Sequence, residues 1–401
     1  MEELKVKIVG VTSTDPEVIE AATKEKFELD GGHSANICYT QKSFDEIISE
    51  DESKTKDRAE GNKENKHHSV FGHDYISLYF EGIPKIIAMM INNEKDYNTS
   101  EKSGRYTVMF GNEKENELYN KWRARFESMI KEYYPNEKYL DDKMIKKKAL
   151  ENARYLLSLF MRTKMEYTVS YRQLNYLHTF TERMINEPTT NPLIVALKPY
   201  LEEFKDTLES TGFITKGMNE YRNREYSLFA DFNDYEEQFG RAYSVNYDLS
   251  IPALADIQRH RTLDYQFSLP EEKKFFVPPI IEATHPELVD EWLYDISNIS
   301  EFPQGMMVNV NETGKWENLI LKMYERVCTA PQLEVMRITR ETYLKYLNAL
   351  RQKVQNGTAT KGDLHVLSEL EKYDGPRCTF PGFNCPQPCE FAEGVKLTRK
   401  I

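Results

Sequence analysis

The stretch most able to do chemistry is Arg259-His260-Arg261. Arginine keeps its charge at any ordinary pH, and its planar fork of donors fits phosphate oxygens. The tripeptide follows an apolar run, 249–257, that reads as a short buried helix. Two guanidiniums at the end of a buried element are costly unless an anion or a polar ring system lies against them. A solvated basic turn is the other reading. A second reactive stretch lies near the end of the sequence, where Cys378, Cys385 and Cys389 are interleaved with proline and glycine. Three such thiols suit zinc or an iron–sulfur cluster, with Cys328 or His365 as a fourth ligand. The spacing matches no paired knuckle, so a tight loop with free thiols stands beside that reading. Cys38 and Cys328 read as incidental or buried thiols.

These residues need elements to hold them. Residues 5–10 and 75–80 alternate as strands do, and 83–91 reads as a short apolar helix. Helical periodicity follows at 115–134, 143–160, 171–186 and 191–210. Residues 211–225 are polar with two glycines and mark the internal boundary. Beyond it the order returns: a strand at 244–249, a short helix, the Arg-His-Arg segment, a strand at 274–277, then helices at 315–328 and 332–355. A last helix, 361–373, precedes the cysteines. The highly charged run 49–66 reads as a solvated helix or mobile loop without an assigned role. The expected fold class is α+β: two tandem repeats with long helices packed on small antiparallel sheets, plus a cysteine-bearing tail. The divisions are 1–212, 213–356 and 357–401.

Totals narrow the classes of function. A chain of 401 residues with a formal charge of -12 is not a general nucleic-acid binder, yet an arginine cluster within it can serve a small anion. No apolar run reaches membrane-spanning length, and the first ten residues lack the layout of a secretion signal. The five cysteines, an odd number, fit a reducing compartment, and the cytoplasm is the expected location.

The first half also carries His67–His73, a strand, Ser100-Glu101-Lys102-Ser103-Gly104-Arg105-Tyr106, Ala153-Arg154 and Ser170-Tyr171-Arg172. In this order the set resembles the flavin-dependent thymidylate synthases, the ThyX family. The family's Arg-His-Arg is replaced there by Asn93-Glu94-Lys95, and its later Leu-Arg by Phe180-Thr181. The second half resembles the same family in the complementary places. It holds Arg259-His260-Arg261, and Arg326 six residues before the Gln332 of Pro331-Gln332-Leu333-Glu334. It lacks Ser-x-Arg-Tyr, and Asp256 stands where the family has glutamine.

The resemblance implies reductive methylation of dUMP, or a related pyrimidine nucleotide, at C5. FAD would be the cofactor, with NADPH and methylenetetrahydrofolate as co-substrates. Arg326 would stabilise negative charge developing on the pyrimidine ring. Arg259, His260, Arg261, His67, Ser69, Arg172 and Glu101 would contact the flavin. Ser103, Gly104, Arg105, Arg154 and Asp256 would meet the nucleotide. Each half keeps what the other has lost, so the implied assembly is a homodimer mimicking the family's four subunits. An inactive flavin- or nucleotide-binding scaffold is the alternative.

Overall fold

The computed structural model describes residues 3–13, 15–37, 40–215, 217–218, 224–229, 235–299 and 302–401. Cys38 lies outside them. The chain forms two compact units, one of Met1–Lys102 with Arg162–Tyr226, the other of Ser103–Met161 with Ser227–Ile401. Among the described residues no helix is long and apolar enough to cross a membrane.

The first unit opens with β1 (Lys5–Gly10), α1 (Pro16–Ala21), α2 (Lys24–Ile37), α3 (Phe44–Ile48) and α4 (Glu52–Glu64). It continues with β2 (Tyr75–Pro84), α5 (Lys85–Asn92) and β3 (Tyr97–Glu101). The chain then contributes α6 (Glu113–Tyr133) and α7 (Asp142–Ala153) to the second unit. It resumes the first with β4 (Arg162–Ser170), α8 (Tyr171–Asn186) and α9 (Pro192–Ser210). The sheet order is β1-β2-β4-β3, with every pair antiparallel.

The remainder of the second unit is β5 (Gln238–Phe239), β6 (Ala242–Ser250), α10 (Ile251–Ile257), β7 (Asp264–Ser268), α11 (Pro279–Thr284) and α12 (Val289–Ser297). Then come β8 (Met307–Lys315), α13 (Trp316–Arg326), α14 (Leu333–Gln355), α15 (Lys361–Leu370) and α16 (Ala392–Val395). Its sheet runs β5-β6-β8-β7, again antiparallel. The two sheets have the same strand order, and from the second strand on the same chain order: strand, short helix, strand, a helical excursion, then the strand that pairs centrally; α1–α4 separate β1 from β2, whereas β5 is followed directly by β6. The two excursions, α6–α7 and α11–α12, pack on each other in the second unit. Trp122 meets Trp292 edge-on at 4.9 Å between ring centroids, an arrangement worth about 1 kcal/mol beyond its buried area. Trp122 also donates to Asp295 at 2.7 Å, so the buried indole N–H is satisfied.

Several sequence expectations change. Residues 274–277 are not a strand; Phe275 makes one isolated bridge to Met306, and Pro278-Pro279 start α11 instead. The central strands β4 and β8 went unread. In β4 the buried residues alternate (Thr163, Met165, Tyr167, Val169), but charged residues stand between them. β8 has only Val308 and Val310 as strongly apolar residues. The helix expected at 143–160 stops at Ala153, followed by a 3-10 turn. Residues 103–161 pack in the second unit.

Candidate functional site

Arg105, Arg154, Asp256, His260 and Arg326 all lie in the second compact unit. β6 ends at Ser250, whose N–H and Oγ both donate to Glu334 on the first turn of α14, at 2.6 and 2.5 Å. Tyr155 reaches the same carboxylate at 3.1 Å. Burial lifts the Glu334 pKa, and these donors oppose the shift. Glu334 thus fixes the start of α14 against the β6–α10 corner. That anchorage positions the loop between α13 and α14.

The loop holds three arginines on three successive residues. Arg105 donates through Nη2 to the Ala330 carbonyl at 2.7 Å. Arg399 donates through Nη2 to the Pro331 carbonyl at 2.8 Å. Arg154 donates through Nη2 to the Gln332 Oε1, whose amide in turn donates to Tyr155 at 2.6 Å. All three arginines are buried. Arg105 also donates through Nε to Glu151 at 2.6 Å, and its Nη1 lies 3.5 Å from Asp256 Oδ2. Ser103 Oγ accepts from the Arg105 N–H at 3.3 Å, which shapes the turn. A Cβ on Gly104 would stand 3.2 Å from Met109 and 3.5 Å from Arg154, so glycine lets this turn close on the arginine.

Glu151 is the hub. Burial pushes its pKa up, but Arg105, Lys148, Arg154 and Arg399 outweigh that and hold it ionised. Lys148, fully buried 3.3 Å from Glu151, is pushed down to about 7 by burial, with Arg399 and Arg105 adding repulsion. Burial opposes the charge of Arg105, yet Glu151 and Asp256 hold it firmly protonated.

Arg326 ends α13. Its Nε donates to His260 Nε2 at 2.8 Å and its Nη2 to the Asp256 carbonyl at 3.1 Å. Burial first, then Arg326 and Lys322, drive the His260 pKa down to about 3. His260 is therefore a neutral acceptor, although Glu325 lies 3.6 Å away. Arg259 and Arg261 flank it and are exposed.

The remaining expected residues belong to the first unit. His67 and Ser69 are exposed at a 3-10 turn, His68–Gly72, that packs on the start of α8 beside Arg172. Glu101 accepts from Lys85 at 2.6 Å. The first unit has a corresponding corner with other residues in it. Glu94, following α5 as His260 follows α10, is buried and paired with Arg224. Thr181 sits as far along α8 as Arg326 along α13 and bonds Tyr226 at 2.7 Å. The Arg224 guanidinium covers Phe180, 4.3 Å from its ring centre. That corner is closed by its own side chains.

Among the described residues no group of three or more histidine, cysteine or acidic side chains is arranged to hold a metal ion. Cys328, Cys378, Cys385 and Cys389 are free thiols. Cys389 instead contacts Thr329 Oγ1 at 3.3 Å.

Lys148, Glu151 and Arg399 were missed from the sequence. The available signal was Lys148-x-x-Glu151-x-x-Arg154, a spacing that puts all three on one helical face. Lys148 was hidden in a run of three lysines.

The family model of thymidylate synthase complementing protein, Thy1, matches residues 24–198. Over that span the chain is similar to the family. The match takes in Ser103-Gly104-Arg105 and Arg154, both of which lie in the second unit. Among solved structures, the UMP/dUMP methylase PolB from Streptomyces cacaoi, bound with 5-Br dUMP, matches at 14% identity. That match covers 53% of this chain and 90% of PolB, with a TM-score of 0.31. The ThyX of Helicobacter pylori, complexed with FAD and dUMP, matches at 13% identity. It covers 54% of this chain and 96% of that one, with a TM-score of 0.31. No curated protein matches.

Proposed function

We propose that the protein is a flavin-dependent thymidylate-synthase-like enzyme acting on dUMP or a related pyrimidine nucleotide. The observation that carries this reading is the meeting of Arg105 and Arg154, from one half of the sequence, with Asp256, His260 and Arg326 from the other. The halves are complementary in sequence, and these five residues share one compact unit. The matching strand order of the two sheets supports their origin as tandem repeats.

The donor set fits a nucleotide. Several buried cations face few carboxylates, and Arg154 Nε lacks a hydrogen-bond partner. Arg105 and Arg154 bind the phosphate through paired donors, and Ser103 orders the turn that presents them. Arg326, fixed at Nε and Nη2, stabilises negative charge on the pyrimidine as carbon C5 becomes nucleophilic. His260 acts through Arg326: it accepts the Nε–H and so sets the plane of the guanidinium. Asp256 lowers the net positive charge beside Arg105.

The donor set also fits a flavin. Two exposed guanidiniums, Arg259 and Arg261, stand at the end of α10 and suit a diphosphate. FAD, when bound, supplies the reducing equivalents, with NADPH and methylenetetrahydrofolate as co-substrates. His67, Ser69, Arg172 and Glu101, all in the first unit, are the other residues that the reading assigns to flavin. A homodimer and a cytoplasmic location belong to the same reading.

The closure of the first unit by Glu94 and Arg224 favours one functional nucleotide site per chain. A binding protein without turnover is the second reading, favoured by the carboxylate of Asp256 standing against Arg105. Incubating the protein with FAD, NADPH, methylenetetrahydrofolate and dUMP separates the two. Formation of dTMP supports the enzyme. Tight dUMP binding without any methylated product supports the scaffold.

A further inference from the structure

The segment that delivers Arg399 is part of the second unit's core. Phe391 stacks on Tyr139 with ring centres 5.7 Å apart and meets Tyr134 edge-on at 5.3 Å. Tyr134 donates to Glu393 at 2.6 Å and accepts from the Lys400 N–H at 3.0 Å. Ile401 is buried in the same cluster. α16 approaches the α13–α14 loop so closely that a Cβ on Gly394 would stand 2.3 Å from Thr329 Oγ1. Leu397 then takes a left-handed conformation, φ 58°, which turns the chain inward. A non-glycine residue adopts that conformation at some cost, and such strain is kept where the surroundings enforce it.

What this turn delivers is a fully buried guanidinium. Arg399 uses Nη2 on the Pro331 carbonyl, while its Nε and Nη1 have no hydrogen-bond partner. Arg154 Nε is in the same state. A buried donor without a partner is destabilising, more so on a charged group. The charge balance points the same way. Arg105 and Lys148 pair with Glu151, at 2.6 and 3.3 Å, and the charges of Arg154 and Arg399 act on it as well. The other carboxylates are Asp256, 3.5 Å from Arg105, and Glu334, whose oxygens are held by Ser250 and Tyr155. Cationic groups here outnumber carboxylates by four to three.

We propose that Arg399 is a ligand of a phosphate-monoester site completed by Lys148, with Arg105, Arg399 and Arg154 racked on Ala330, Pro331 and Gln332. A phosphate dianion supplies both the missing negative charge and the missing acceptors. A carboxylate ligand would bring two oxygens to the three unpartnered nitrogens, Arg399 Nε, Arg399 Nη1 and Arg154 Nε, where a phosphate brings three. This inference deepens the proposed function and rests on it for the nucleoside alone; the phosphate requirement comes from the charge and the unpartnered donors.

The test is calorimetric titration of the wild type, Arg399→Gln and Arg399→Lys with inorganic phosphate, dUMP and deoxyuridine. The site predicts that Arg399→Gln weakens dUMP and phosphate by about tenfold or more, the scale of a charge-assisted hydrogen bond. Deoxyuridine binding stays unchanged, and Arg399→Lys recovers part of the loss. Should the glutamine variant not fold, hydrogen exchange on the wild type decides: dUMP and phosphate slow exchange at the amides of 398–400, and deoxyuridine does not. A folded Arg399→Gln protein that binds dUMP like wild type removes Arg399 from the site and leaves the proposed function standing. Unchanged exchange at 398–400 under saturating dUMP does the same. A wild type that binds neither dUMP nor phosphate overturns both.

Discussion

Arg326 donates through Nε to Nε2 of His260 at 2.8 Å, so His260 carries its proton on Nδ1 and is neutral. The sign of the pH effect follows. Unfolded His260 takes a proton below its ordinary value of 6.5, while the folded state resists protonation down to about 3. Between those values the unfolded state binds more protons. This contribution to stability is present above 6.5 and is lost as pH falls toward 3, by up to ~1.4 kcal/mol per pH unit. Asp74, in the first unit, is raised to about 6 by burial and acts in the opposite direction over part of that range. Urea unfolding of wild type against His260→Gln, from pH 7 to pH 4, isolates the histidine. The wild type should lose more stability on acidification than the variant; parallel curves would remove His260 from this role.

Arg326 is held at two of its nitrogens. Replacing it with alanine should lower kcat for dUMP methylation by about 10²–10³-fold, the usual effect of removing one fixed donor from a developing charge. The Kd for dUMP should move much less, because Arg105 and Arg154 remain. Steady-state kinetics paired with calorimetry would show the split. A loss confined to Kd would make Arg326 a binding residue only.

Asp256 places a carboxylate 3.5 Å from Arg105, and its Oδ2 has no hydrogen-bond partner. Asp256→Asn keeps the shape and removes the charge. Phosphate and dUMP should bind several-fold more tightly, since ~1 kcal/mol of competing attraction disappears from a partly buried site. Equal or weaker binding would mean that Asp256 orients the site rather than opposing the anion.

Glu151 is the carboxylate on which four cations converge. Glu151→Gln should cost about 3–5 kcal/mol of stability, as the loss of one partner from a buried ionic cluster does. Millimolar phosphate should restore more of the melting temperature in this variant than it adds to the wild type. Destabilisation with no extra response to phosphate would contradict an anion site at this cluster.

Gly394 has no room for a side chain against Thr329. Gly394→Ala should destabilise the second unit by about 1–3 kcal/mol through overpacking. It should also weaken dUMP binding without removing any charge, because Arg399 shifts with its segment. Unchanged affinity in a folded variant would uncouple the segment from the site.

The sequence carried the arginines better than it carried the scaffold. Arg105, Arg154, His260 and Arg326 stood out because their types and order resemble a known pattern, and the structure gathers them in one unit. β4 and β8 were not, since charged and polar residues break the apolar alternation on the exposed sides of central strands. The partners of the arginines were harder still. Nothing in Lys146-Lys147-Lys148 marks the third lysine as the buried one; only the packing of α7 does that. Arg399 lies far from every motif in sequence and enters the cluster through a left-handed turn at a leucine, which no pattern announces. The union of 103–161 with the second half is likewise a long-range packing choice. It rests on Trp122, Trp292 and their neighbours rather than on any local signal.

The most direct test of the central claim is the visible absorption spectrum of the protein reconstituted with FAD and titrated with dUMP. If the residues retained by the two halves form one site, oxidised-flavin bands appear and shift saturably with dUMP, and Arg105→Ala abolishes the shift. A protein that retains no flavin, or whose flavin bands ignore saturating dUMP, would contradict the account.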